Sequence, residues 1–151
     1  MRTAKWDARS AILGGMVGIA IVAVSAATMA GAQKGAVATG AHANEAFCKT
    51  IIKQAELFAQ FTMSDLSDAK KRSKYFADQK ELNDTLVKTA PASLASDVAL
   101  QTRNANAGID AQLARDPAKI KAAMEPLRSP EHLAASKRMS EYCGVKVDVS
   151  K

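Results

Sequence analysis

Residues 114–144 read ARDPAKIKAAMEPLRSPEHLAASKRMSEYCG. Two pairs in this stretch, Asp116-Pro117 and Ser129-Pro130, each set a capping side chain before a proline. The ring fixes φ near its helical value, and the missing N–H would be an orphan in a first helical turn anyway. Each pair therefore predicts a helix start. The first helix carries Ile120, Met124 and Leu127. The second carries Leu133, Ala135, Met139 and Tyr142 and stops at Gly144, a residue free to take the left-handed cap conformation. Cys143 falls in the last turn of that second helix, and the only other cysteine in the chain is Cys48.

Upstream, apolar residues recur at helical spacing. Asn44 is the expected N-cap of a first helix running to about Met63, with Phe47, Ile51, Ala55, Phe58 and Thr62 along one face. Ser67-Asp68 opens a second, in which Tyr75, Leu82 and Leu86 share a face bordered by Phe76 and Val87; it ends near Lys88, ahead of Pro91. A third enters through Pro91 or Ser93 and shows Leu94, Val98, Thr102, Ala105, Ile109 and Leu113. Its middle, Arg103-Asn104-Ala105-Asn106-Ala107-Gly108, is rich in poor helix formers, which predicts a kink or a close backbone neighbour. The class is all-α. In an exported chain a lone pair of cysteines forms a disulfide, and a Cys48–Cys143 bond ties opposite chain ends, which demands an even number of long passes. The three long helices span roughly 30 Å each, and the two short ones laid end to end make one more pass. The expected fold is an antiparallel four-helix bundle over residues 44–144, its fourth pass broken at Pro130 into two short helices. Residues 33–43 are expected as a flexible tether and 145–151 as a short tail.

Export follows from the leader. Arg2, Lys5 and Arg9 precede an uncharged stretch from Ser10 to Gln33, near the end of which Ala30-Gly31-Ala32 offers a small-residue cleavage site. That order is a secretory signal peptide over residues 1–32. The competing interpretation is an uncleaved anchor through residues 10–32, since such a run can span a bilayer. Either one puts the rest of the chain outside the cytoplasm, secreted or attached to the envelope. Of the 151 residues, 48% are apolar and 24% charged, which excludes a disordered tail or a collagen-like repeat, and removing the leader leaves room for one small domain only. Beyond the leader the net charge is about +4, and six aromatic residues are too few for a stacking groove that reads sugars or bases. Nucleic acid is not the expected partner of an exported chain.

Phe47-Cys48 near the start, Pro91 with Asp97 and Val98 in the central helix, and the ending Ser140-Glu141-Tyr142-Cys143-Gly144 resemble small exported two-cysteine helical proteins of actinobacterial type. The resemblance covers Phe47 to Gly144. It implies the helical fold and the bridge, and because that group has no common activity it transfers no site residue. The chain is less similar to the exported helical haem carriers of the same bacteria.

Candidate chemistry is sparse. His42 lies in the expected tether and His132 near the start of the last helix, where it is expected as a solvent-exposed residue of the capping turn. The carboxylate pairs Asp65/Asp68, Glu81/Asp84 and Asp110/Asp116 sit around turns or on outer faces, and no E-x-x-H pair suggests a di-metal centre. No catalytic constellation emerges, so the expectation is a non-enzyme without cofactor or metal. Tyr75, Tyr142, Met63, Met124 and Met139 could ligate haem but stand at core spacing. The densest charge run, Lys70, Lys71, Arg72 and Lys74, is either a contact for an anionic surface or a solvated face partly neutralised by Asp68–Arg72 and Lys74–Asp78 pairs at i, i+4. The leading expectation is a non-catalytic binding module of the envelope whose partner is a protein or an anionic envelope component. A small-ligand or haem carrier and a membrane-anchored subunit of an envelope complex are the alternatives.

Overall fold

The computed structural model describes residues 33–149; the leader expected at 1–32, with its cleavage site or anchor, lies outside the described residues. The elements run β1 (Gln33–Ala38), α1 (Ala46–Gln60), α2 (Met63–Ser67), α3 (Ala69–Thr89), a single 3-10 turn (Ala92–Leu94), α4 (Ala95–Ala114), α5 (Pro117–Leu127), α6 (Pro130–Cys143) and β2 (Val145–Val149). The chain is mostly helical with one disulfide, Cys48–Cys143, whose Cα atoms are 5.4 Å apart. Among the described residues no helix is long and apolar enough to cross a membrane.

Local chemistry sets most boundaries. Asp68 caps α3 by accepting from the Lys70 and Lys71 amides, Asp116 caps α5 by accepting from Ala118 and Lys119, and Ser129 caps α6 by accepting from His132. Gly144 closes α6 at φ 60°, and Arg115 takes the same left-handed conformation after α4. The first helix departs from expectation. Its N-cap is Glu45 rather than Asn44, because the Glu45 carboxylate is engaged by His42 and Tyr142 and the backbone turns there.

The largest correction concerns the chain ends. Gln33–Ala38, expected within the tether, forms a strand antiparallel to Val145–Val149, with Ala38 opposite Val145 and Gln33 opposite Val149. Thr39 N and Gly40 N extend that ladder by donating to the carbonyls of Gly144 and Cys143 at 3.1 Å. Small residues make this possible. A Cβ on Gly144 would lie 2.5 Å from Gly40 N, so the backbones meet only where both lack side chains. The strand β1 lies against α1.

Sequential long helices run antiparallel. On α1 and α3, Gln54 meets Asn83 while Phe61 stacks on Tyr75; on α3 and α4, Asn83 meets Asn106 and Lys80 meets Asp110; on α4 and α6, Asn104 meets His132 and Asp97 meets Arg138. Helix α5 packs on α4. The apolar core falls in two groups. Phe47, Cys48, Ile51, Leu86, Leu94, Val98, Met139 and Cys143 gather around the disulfide, and Tyr75, Phe76, Ala105 and Ile109 gather towards the other end with Leu57, Phe58 and Phe61. Each fully buried large side chain contributes about 1.5–3 kcal/mol. Phe76 belongs to the core, whereas Val87, Leu113 and Leu133, expected on buried or bordering faces, are exposed.

Candidate functional site

Between the two apolar groups the helices bury polar side chains. Gln54 interrupts the α1 stripe, Gln79 and Asn83 that of α3, Gln101 and Thr102 that of α4, and His132 and Ser136 precede Met139 on α6; all are buried. Gln54 Nε2 donates to Asn83 Oδ1 at 2.7 Å, and Asn83 Nδ2 donates to Asn106 Oδ1 at 2.7 Å, a relay joining α1, α3 and α4. Three carbonyl oxygens in this layer, Oε1 of Gln54, Gln79 and Gln101, meet no protein donor. A buried acceptor without any partner costs roughly 1–3 kcal/mol.

His132 is part of the layer. It was expected in solvent, yet only 3% of its surface is exposed. The poor helix formers of α4 explain this: Asn104 turns inward and its Nδ2 donates to His132 Nδ1 at 3.2 Å, while Gln101 Nε2 donates to the His132 carbonyl. Nδ1 is thereby an acceptor, so the neutral ring carries its proton on Nε2. Burial holds the imidazole below its ordinary value. Its hydrogen-bonding neighbours are amides and the Ser129 hydroxyl, with no carboxylate to orient it as a base. Asn106, Ala105 and Gly108 in the same run face inward too, so the run serves packing.

A second cluster went unnoticed in the sequence because its members lie 97 residues apart. His42 Nδ1 is 2.6 Å from Glu45 Oε1, the Tyr142 hydroxyl donates to Glu45 Oε2 at 2.9 Å, and the His42 and Tyr142 rings stack with centroids 4.0 Å apart. A carboxylate only accepts, so Nδ1 carries a proton. The His42 bond, then the Tyr142 bond, hold Glu45 below the usual carboxylate range, while partial burial and the Glu45 bond raise Tyr142. Among the described residues no Ser, Thr or Cys side chain is hydrogen-bonded to His42. The cluster fastens the segment before α1 onto α6 beside the disulfide.

The basic run occupies the first turns of α3. Lys70, Lys71 and Lys74 are exposed and Arg72 is half-buried. Lys71 Nζ sits 2.8 Å from Asp65 Oδ1, and Lys74 Nζ 2.6 Å from Asp78 Oδ2. The Lys71 ammonium and two bonds from Thr62 push Asp65 well below the carboxylate range. The Lys74–Asp78 pair matches expectation. Asp68 opens the helix as expected: its Oδ1 accepts the Lys70 and Lys71 backbone amides at the start of α3.

No protein-family model, no curated protein and no solved structure matches this chain. Its groups stand on their own chemistry. Among the described residues no cluster of three or more His, Cys, Asp or Glu side chains forms a metal site. The Cys48–Cys143 bond joins the two residues expected to pair, both fully buried. Of the possible haem ligands, Tyr75 stacks on Phe61, its hydroxyl pushed up to about 12 by burial, Met139 is core beside the disulfide, and Tyr142 is bound to Glu45.

Proposed function

We propose that this protein is a non-catalytic module that works outside the cytoplasm, secreted or attached to the envelope, by contact between the basic run of α3 and an anionic envelope component. The observation that carries the reading is the Cys48–Cys143 bond, buried and joining residues 95 apart, since such bonds persist in oxidising compartments. The leader order Arg2, Lys5, Arg9, apolar run and Ala30-Gly31-Ala32 supports it independently. The antiparallel pairings of α1 with α3, α3 with α4 and α4 with α6, together with the bond from α1 to α6, support the closed four-helix bundle with a broken fourth pass. A disulfide-tied bundle of this kind is a rigid presenter of surface charge.

The test is co-sedimentation of the protein with isolated cell envelope. Binding is expected at low salt, to fade as ionic strength shortens the Debye length below about 8 Å, and to drop when Lys70, Lys71, Arg72 and Lys74 are all changed to Gln. Binding that ignores both changes refutes the contact. One observation favours the carrier reading: His42 and Tyr142, both side-chain types that ligate haem iron, stack half-exposed. Haemin added to the purified protein gives a shifted absorption band under that reading, lost in Tyr142→Phe, and none under the first.

A further inference from the structure

The α3 run does not stand alone at its end of the fold. The Lys80–Asp110 pair, 2.6 Å long, sets α3 and α4 in register, so the start of α3 and the turn from α4 into α5 share the end away from the disulfide. That turn adds Arg115, Lys119 and Lys121, all exposed. Among the described residues no carboxylate lies within ion-pair distance of Lys70, Arg115, Lys119 or Lys121. The carboxylates on these turns are engaged elsewhere: Asp65 with Lys71, Asp78 with Lys74, Asp110 with Lys80, and Asp68 and Asp116 on helix N-termini, where they offset the positive dipole end. Leu113, two residues before Arg115 in the last turn of α4, is 42% exposed.

We propose that this end of the fold is a membrane-docking face, in which Lys70, Arg115, Lys119 and Lys121 meet anionic lipid headgroups and Leu113 enters the interface. The inference rests on the reading above and narrows its anionic component to lipid. The pairing of cations from two elements, the start of α3 and the passage from α4 into α5, with an exposed leucine favours lipid over a linear polymer, since a polyanion offers nothing apolar for Leu113 to enter. Lysine suits this role, since its long stem lets a hydrated point charge reach headgroups while the helix ends stay rigid. An exposed leucine amid cations is the pattern of interfacial binding, in which apolar insertion and electrostatic attraction act together.

The experiment sediments the full chain with vesicles of phosphatidylglycerol and phosphatidylcholine, with pure phosphatidylcholine vesicles as the neutral arm and inorganic polyphosphate as competitor. Expected is binding to the anionic vesicles only, weakened about fivefold for each lysine removed in Lys119→Gln with Lys121→Gln, and weakened again by Leu113→Gln. The pair Lys49→Gln with Lys53→Gln, on exposed positions of α1, is expected to bind as the wild type does. If the α5 pair binds like wild type while the four α3 substitutions abolish binding, the two-turn face is wrong and the α3 contact stands. If envelope sediments the protein but anionic vesicles do not, and polyphosphate competes, lipid is wrong and a polymer is the partner. If neither envelope nor vesicles bind, both readings fall. Circular dichroism of each variant verifies that the exposed substitutions leave the helices intact.

Discussion

Asp97 and Arg138 meet as a two-pronged ion pair: Arg138 Nε donates to Oδ2 and Nη2 to Oδ1, each at 2.7 Å, and so α6 is pinned to α4 beside Val98 and Met139 of the core group around the disulfide. The guanidinium holds the Asp97 carboxyl below the usual range. A depressed carboxylate contributes stability that is present above the unfolded value, near 3.9, and is lost as pH falls through the folded one. Asp97→Asn is therefore expected to lower the unfolding midpoint at neutral pH by a few degrees and to shrink that acid-side loss; Arg138→Gln should do the same. A midpoint unchanged at neutral pH in both variants contradicts the pin.

The disulfide closes a loop of 95 residues, and restricting the unfolded chain in this way is worth up to about 4.6 kcal/mol in the loop-entropy model. Cys48→Ser with Cys143→Ser is expected to lower the urea midpoint strongly without changing affinity for vesicles or envelope below it. Because both sulfurs are buried, the native protein should resist reductant until partly unfolded.

His132 makes the fold sensitive to mild acid. Burial depresses its folded value below 6.5, so as pH falls past that point the unfolded chain takes up a proton that the folded one refuses, and stability falls until the folded value is passed. Urea midpoints measured between about pH 8 and about pH 5 should decline in the wild type and decline less in His132→Gln. Equal slopes would remove His132 from the acid response.

Gly144→Ala combines a φ of 60° with a Cβ only 2.5 Å from Gly40 N. Left-handed strain alone costs roughly 1–2 kcal/mol, and the clash adds to it. A lowered unfolding midpoint is expected, with faster amide exchange at Thr39 and Gly40, whose donors bond across this junction.

Asn83 serves two partners at once, so Asn83→Ala strands Gln54 and Asn106 in the interior and is expected to cost about 2–4 kcal/mol. Asn83→Leu tests whether the relay or the volume matters: a leucine variant as stable as wild type would assign the role to packing.

Helix starts were legible because they are local. Asp68, Asp116 and Ser129 sit within three residues of the amides they cap, and Gly144 needs only its own backbone freedom. The cysteine pairing was legible because two residues allow one pairing. What escaped was every contact made at a distance between residues without pattern. The strand at Gln33–Ala38 is visible only through its partner at Val145–Val149, and each is too short or too small to announce itself. His42 became meaningful only once Tyr142, near the far end of the chain, lay against it. His132 was misjudged because its burial depends on Asn104, a residue that the propensity scale marks as a weakness in α4.

The covalent tie between Cys48 and Cys143 also decides how the molecule carries load. Tension applied to the chain on either side reaches the two sulfurs and passes straight across, so the 94 residues between them never feel it. Only the ribbon of β1 and β2 and the segment that leads through His42 to Cys48 lie on the loaded path, and the ladder's backbone bonds, pulled one after another, open like a zip. Tethered at an end, this protein would lengthen by a short, fixed amount and then stop, its helices unextended behind a covalent lock.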